Sequence, residues 1–350
     1  MKTVKHWIVI IGVICLFSSC QERNILTETV VHPDGSLDRV ITLEDFSKSA
    51  INRNRFGISP KSGWEIELDS IKSKNDSSKL GKKKKLVIRF RKHFSSAQES
   101  NEELNTSVDT LFTIKSTFEK RFRWFYTYLY YSDTYGAIDR FKYVSQEDYF
   151  TQEDYAFIDR LPAEGKEISK ADKLFDEYLH DKIGDEYAVH GIFEEQYHIL
   201  TSLMESYKLE SRWFDTLSKH KESLLDLAKM DDVDDDIVLI VADRLGIPLP
   251  YPQAKKDYEL LNKDYERRIN FMTGFISFTH STNMPWQVIR TNADSVSGSN
   301  LFWRPPVIKY MLKDYEMYAE SRKINYWAVA VSILVVMLTI FLIVKKGRRV

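Results

Sequence analysis

His190, Glu194 and His198 follow one another at intervals of four residues, so a helix places all three on one face. Imidazole and carboxylate are zinc donors. The order lacks His-Glu-x-x-His, and nothing fixes a fourth ligand, so the group reads as a polar helix face. The run Asp231-Asp-Val-Asp-Asp-Asp236 offers oxygens of the calcium type. A calcium loop needs Gly at its sixth place and Glu at its twelfth; counted from Asp232, those places hold Ile237 and Asp243. The run therefore reads as an acidic helix start. There is no Gly-x-Ser-x-Gly elbow, phosphate loop or dinucleotide fingerprint. Paired carboxylates such as Glu194-Glu195 select nothing in a chain that is 29% charged. The sequence assigns no catalytic residue, no metal ligand and no cofactor.

Cys20 is the residue with a definite chemistry. Lys2 and Lys5 precede an apolar run over 7–17 that is too short to span a bilayer, and Ser18 and Ser19 supply the small residues of a cleavage site. Small residues ending in cysteine resemble the lipobox of bacterial lipoproteins, with Phe17 where leucine is usual. Cleavage would leave Cys20 as an acylated N-terminus, a palmitate-type lipid anchor. Cys15, the other of two cysteines, would leave with the signal. The mature body then has no disulfide and no thiol nucleophile.

The far end carries a second anchor. Residues 327–344 are uncharged and apolar, followed by Lys345, Lys346, Arg348 and Arg349. That length spans the hydrocarbon core. Tyr326 and Trp327 fit an interfacial aromatic anchor, and the basic cluster marks a cytoplasmic end. The expected location is the bacterial inner membrane, with the body in the periplasm and the C-terminal tail in the cytoplasm. A net charge of −1 gives no reason to expect nucleic acid.

Between the anchors, strand and helix patterns segregate. β-branched runs flank Pro33-Asp34-Gly35-Ser36 and predict a hairpin over 27–43. A short helix is expected over 44–53, and strands over 64–68 and 86–94. The polar stretch before the latter ends in Lys82-Lys83-Lys84-Lys85, a solvated or edge-guarding run. Residues 110–131 read as one long, bent central strand. Phe118, Phe122, Trp124, Tyr126, Tyr128 and Tyr130 share one face, expected to lie on the core rather than to line a lipid cavity. Ser145-Gln-Glu-Asp-Tyr149 and Thr151-Gln-Glu-Asp-Tyr155 carry the pattern of helix N-termini. Helices are expected over 169–183, 186–207, 210–230, 234–245 and 251–271. Alternation returns over 275–280, 286–291 and 300–303 as a closing hairpin. A helix over 307–323 would lead into the membrane.

The segment Met284-Pro285-Trp286-Gln-Val-Ile-Arg-Thr-Asn-Ala293, with Gly298 and Trp303, resembles the closing strands of the LppM-like lipoprotein family, whose first strands also carry an Asp-Gly turn like Asp34-Gly35. Trp286 stands where that family has glycine. The resemblance covers roughly the first 120 and the last 80 residues. It implies an α+β envelope domain that binds lipid or glycolipid, without known catalysis.

The expected organisation is a signal peptide over 1–19 and a tether over 20–26. A β-rich domain follows, split over 27–144 and 273–305 around a helical insertion over 145–272. A juxtamembrane helix over 306–324, a transmembrane helix over 325–345 and a tail over 346–350 complete the chain. The fold class is α+β, an antiparallel sheet built from N-terminal and C-terminal strands. The expected role is binding or scaffolding, with a lipid, a glycolipid or an envelope protein as partner. The alternative is a periplasmic hydrolase.

Overall fold

A computed structural model describes residues 23–44, 58, 62–72, 84–105, 113–228, 237–273 and 276–348. The expected signal peptide, Cys20, most of the helix expected over 44–53, Lys82, Lys83 and the acidic run 231–236 lie outside the described residues. The chain is α+β and divides into two compact units: 1–137 with 276–310 and 314–350, and 138–275 with 311–313.

Among the described residues the first unit holds eleven strands in two sheets. β1 (Arg23–Val31) and β2 (Leu37–Glu44) form the predicted hairpin. Its turn follows from local chemistry. Gly35 adopts φ +99°, open to glycine without cost, and Asp34 Oδ1 accepts from the Ser36 amide at 3.0 Å. β3 (Glu65–Lys72) and β4 (Lys84–Phe94) extend this sheet on one side. β7 (Ile276–Asn283), β10 (Asn300–Trp303) and β9 (Ser295–Ser297) extend it on the other, in the order β3-β4-β2-β1-β7-β10-β9. β1 and β7 run parallel, so this sheet is mixed rather than purely antiparallel. A short helix, α1 (Ala97–Leu104), follows β4 and is capped by Ser96.

The second sheet has the order β5-β6-β11-β8 and departs from three expectations. First, 110–131 is no single strand. β5 (Ile114–Phe122) and β6 (Tyr126–Tyr135) are antiparallel arms of a hairpin turning at 123–125. Arg-Trp-Phe carries no turn residue. The turn is held by Asn325, about 200 residues away, whose amide donates to the carbonyls of Arg123 and Trp124. Second, the aromatic face is not the core. Phe122 and Trp124 are exposed, and Tyr126, Tyr128 and Tyr130 are half-buried; Thr127, Leu129, Tyr131 and Asp133 point inward instead.

Third, the juxtamembrane helix is a strand. After a short helix (Ile308–Met311), β11 (Tyr315–Ile324) lies between β6 and β8 (Gln287–Thr291). Met317, Ala319 and Ser321 are buried and alternate with half-buried Tyr318, Glu320 and Arg322. That period of two matches two waiting strand partners, and pairing on both sides overrides helix propensity. β7 and β8 therefore sit in different sheets and do not form the expected hairpin. The pairing of β7 with β1 and β10 leaves Phe278 and Trp303 buried, whereas Val288 on β8, which lies in the other sheet, is only half-buried.

The two sheets face each other across a filled interior of Trp303, Tyr131, Tyr135, Phe94 and Phe278, all under 2% exposed. At its centre Arg39 on β2 meets Asp133 on β6. Arg39 Nη2 lies 2.9 Å from Asp133 Oδ1, and neither side chain is exposed. Ser116 Oγ donates to the same carboxylate at 2.6 Å, and Tyr131 OH accepts from Arg39 at 2.9 Å. Burial opposes the charge on both partners. Each other's field overcomes it, so the guanidinium stays above its ordinary pKa and the carboxyl below. His280 on β7 sits 3.4 Å from the same carboxylate. Burial holds its imidazole neutral, with a pKa lowered to about 4, because desolvation and Arg39 outweigh the attraction of Asp133.

The second unit is helical. Ser145 and Thr151 start helices as their spacing predicts: Ser145 caps a 3₁₀ turn (Gln146–Asp148), and Thr151 forms a capping box with Asp154 on α2 (Gln152–Arg160). α3 (Lys173–Asp181) continues through a π-helical turn (Lys182–Ala188) into α4 (Val189–Ser206), so no break falls at Gly184. The span expected over 210–230 splits at His220 into α5 (Ser211–Lys219) and α6 (Lys221–Ala228). α7 (Ile237–Arg244) and α8 (Gln253–Thr273) complete the unit. Leu200, Leu203 and Met204 of α4 bury against Leu217, Leu239 and Tyr258 from the surrounding helices. The last helix of the chain, α9 in this sequence of full-length helices, is Tyr326–Gly347.

Candidate functional site

Each unit holds a place, among the described residues, that combines geometry with chemistry. The first is where β11 becomes α9. A single residue, Asn325, separates strand from helix, and it is 6% exposed. Its side chain makes no cap to the helix. It reaches the β5–β6 turn instead, donating to Arg123 O at 2.8 Å and accepting from Thr127 Oγ1 at 2.8 Å. Its backbone amide donates to Phe125 O at 2.9 Å. The helix is thereby joined to the sheet by hydrogen bonds from both ends of one residue.

Aromatic side chains carry the joint further. The Phe122 and Trp327 rings stack at 6.1 Å and 8°, and Trp124 meets Trp327 edge-on at 5.4 Å. Trp124 Nε1 donates to Ser332 Oγ at 2.8 Å. Ser332 lies six residues beyond the helix start, about 9 Å along the axis at 1.5 Å per residue. The hairpin tip therefore lies alongside the first turns of α9. Tyr326–Lys346 is, among the described residues, the one helix long and apolar enough to cross a membrane, and its side chains are almost wholly unburied by the protein. Phe122, Trp124, Phe125, Tyr326 and Trp327 are all exposed around its start, a patch of the composition found at membrane–water interfaces. Arg322 and Lys323 flank it, their cations over the rings of Tyr126 and Trp286 at 4.6 Å.

The second place is an open cleft of about 640 Å³ in the helical unit, with Tyr149, Lys182, Glu186, His190, Glu194 and Lys221 in its lining. The π-helical turn and α4 carry four of these, and α6 supplies Lys221. A chain of polar contacts crosses it. Tyr149 OH meets His190 Nδ1, His190 Nε2 lies 3.1 Å from Glu194 Oε1, and Lys221 Nζ donates to Glu194 Oε2 at 2.8 Å. Lys182 Nζ lies 2.9 Å from both Asp154 Oδ2 and Tyr178 OH. Burial, and then the charges of Asp148, Glu186 and Glu194, push the Tyr149 phenol up. That is the direction opposite to the one a phenolate nucleophile or base needs.

Of the helix-spaced trio, His190 and Glu194 do come together, while His198 stacks on Tyr143 with centroids 3.7 Å apart. The trio is not one donor set. Cys20 lies outside the described residues. Asn325 escaped the sequence reading, since an Asn before an apolar helix reads as an ordinary cap, and Trp124 was assigned to a core-facing aromatic stripe rather than to the membrane helix it touches. No protein-family model matches the chain, and no curated protein or solved structure matches it either.

Proposed function

We propose that the chain is a membrane-mounted scaffold, a lipoprotein of the bacterial envelope that holds a binding surface at a fixed height and tilt over the bilayer. Its partner is an envelope protein. The observation that carries this reading is the clamp of Asn325 on the β5–β6 turn, reinforced by Trp124 on Ser332. A tether that only kept the protein on the membrane needs no such joint; flexible residues before the helix would serve. The filled interior of the sheet unit supports a protein partner over a lipid held between the sheets. In this reading Cys20 carries the acyl chains, the body faces the periplasm and the tail after Lys345 is cytoplasmic.

The hydrolase reading has one observation in its favour, the Tyr149–His190–Glu194 chain in the cleft. The raised phenol argues against it.

The test is in-cell cross-linking of the full chain, followed by detergent extraction and mass spectrometry of the cross-linked peptides. A defined protein partner, lost when a Gly-Ser linker is inserted after Asn325, supports the scaffold. The same partner captured by the linker form would remove the need for fixed mounting. Turnover of ester or glycoside substrates that disappears in His190→Ala would replace the scaffold with the hydrolase.

A further inference from the structure

On the outer face of the larger sheet three side chains converge. Asp38 on β2 stands directly opposite His93 on β4, and Val30 on β1 stands opposite Asp38 from the other side. Side chains alternate along a strand, so His32, two residues beyond Val30, falls on the same face. His32 Nε2 lies 2.7 Å from Asp38 Oδ2, and His93 Nδ1 lies 2.7 Å from Asp38 Oδ1. The two imidazole nitrogens and the carboxylate oxygen all lie within 4.8 Å of one another, the one such group of donors among the described residues.

The backbone under this cluster is fixed. Leu37 and Arg39, which flank Asp38, and Phe94, which follows His93, are fully buried on the opposite face. A register slip of one residue would turn those groups outward, so Asp38 and His93 are held in opposition. His32 closes the turn of the first hairpin. Its amide donates to Ser36 O at 2.9 Å and its carbonyl accepts from the Gly35 amide at 3.0 Å. A Cβ at Gly35 would lie 2.9 Å from the Phe118 ring, so the turn also packs closely on β5.

We infer that His32, Asp38 and His93 form a binding site for a divalent transition metal of the zinc type, with one coordination position open to solvent. The donor set decides the metal class: two imidazoles and one carboxylate suit zinc, nickel or copper, whereas calcium and magnesium take oxygen donors. Zinc–ligand distances are about 2.0–2.2 Å. Both imidazoles already aim a ring nitrogen at the two oxygens of one carboxylate, and small rotations of exposed side chains bring three donors to that distance. A structural zinc is closed by four protein ligands; three leave a position for water or for a donor from another molecule. Asp34 and Glu99 lie within electrostatic reach of His32 and His93, which favours a cation there, while Lys92 beside His93 is paired with Glu103. The site is exchangeable rather than structural, because its side chains are exposed by a third to more than a half.

The probe is zinc chloride added to the full chain in detergent, after chelation and dialysis, with binding read by competition against a chromogenic zinc indicator. The expected result is one equivalent of zinc per chain, weakened by at least roughly tenfold in each of His32→Gln, Asp38→Asn and His93→Gln. His190→Gln and His198→Gln should bind as the parent does. Circular dichroism and melting of the chelated proteins check that His93→Gln, an exposed change, folds as the parent. Cobalt should give a ligand-field spectrum with the parent and none with His93→Gln. Failure of the chelated parent to compete for zinc, or unchanged affinity in all three variants, overturns the site.

Discussion

Arg39 and Asp133 form an ion pair that joins the two sheets, with no solvent exposure on either side chain. Taking two charges out of water is costly, and breaking such a pair leaves the other charge stranded. Asp133→Ala should therefore destabilise the sheet unit by about 3–5 kcal/mol, as judged by urea unfolding of the detergent-solubilised chain. Arg39 Nε and Nη1 make no hydrogen bond. An apolar pair, Arg39→Met with Asp133→Leu, should thus recover most of that loss. A double variant as unstable as the single one would mean that the pair is irreplaceable for packing.

His280 should give the protein an acid-sensitive stability. Its folded pKa is about 4 against an ordinary 6.5. Above pH 6.5 it is neutral in both states and contributes no pH dependence. As pH falls from 6.5 to 4 the unfolded chain takes up a proton that the folded chain refuses, so stability declines by up to about 1.4 kcal/mol per pH unit. Below 4 this contribution levels off. His280→Gln should flatten the slope in that window, measured by unfolding at a series of pH values; an unchanged slope would assign it to other groups.

Asn325→Ala should separate mounting from anchoring. It removes the side-chain bonds to Arg123 O, Trp124 O and Thr127 Oγ1, a loss of about 1–3 kcal/mol to the sheet unit. The protein should still sediment with membranes, because the apolar helix is intact. Release of this variant into the soluble fraction would show that the joint itself holds the protein down.

Trp124 should sit at bilayer depth. Brominated lipids quench only nearby indoles, so in reconstituted vesicles Trp124→Phe should lose a substantial part of the quenching seen in the parent. Trp303, buried between the sheets, should contribute none, and Trp303→Phe should leave the quenched intensity unchanged. Equal quenching of the parent and Trp124→Phe would place the hairpin tip above the membrane.

Two anchors are expected at Cys20 and 325–345. Removing residues 325–350 should leave an acylated protein on membranes, and adding Cys20→Ala should release it. Sedimentation after a carbonate wash reads the result; a double variant that still pellets would contradict acylation at Cys20 as the second anchor.

Features set by neighbours along the chain were legible in the sequence. Pro33-Asp34-Gly35-Ser36 contains its own turn chemistry, Thr151 and Asp154 cap each other across three residues, and the apolar run after Trp327 needs no partner to be a helix. Features set by distant partners were not. Residues 315–324 are compatible with either helix or strand, and only β6 and β8 on either side made them a strand. Arg-Trp-Phe at 123–125 becomes a turn because Asn325 satisfies its carbonyls. Asp38 faces His93 across 55 residues, and Arg39 faces Asp133 across 94. Such pairs depend on which strands lie side by side, and strand order is chosen by the burial of whole faces rather than by any local signal. The apolar C-terminal helix and the α+β fold class were thus determined by the sequence alone, as was the i,i+4 approach of His190 to Glu194, while the meetings of Arg39 with Asp133, Asp38 with His93 and Asn325 with the β5–β6 turn were decided by the tertiary structure.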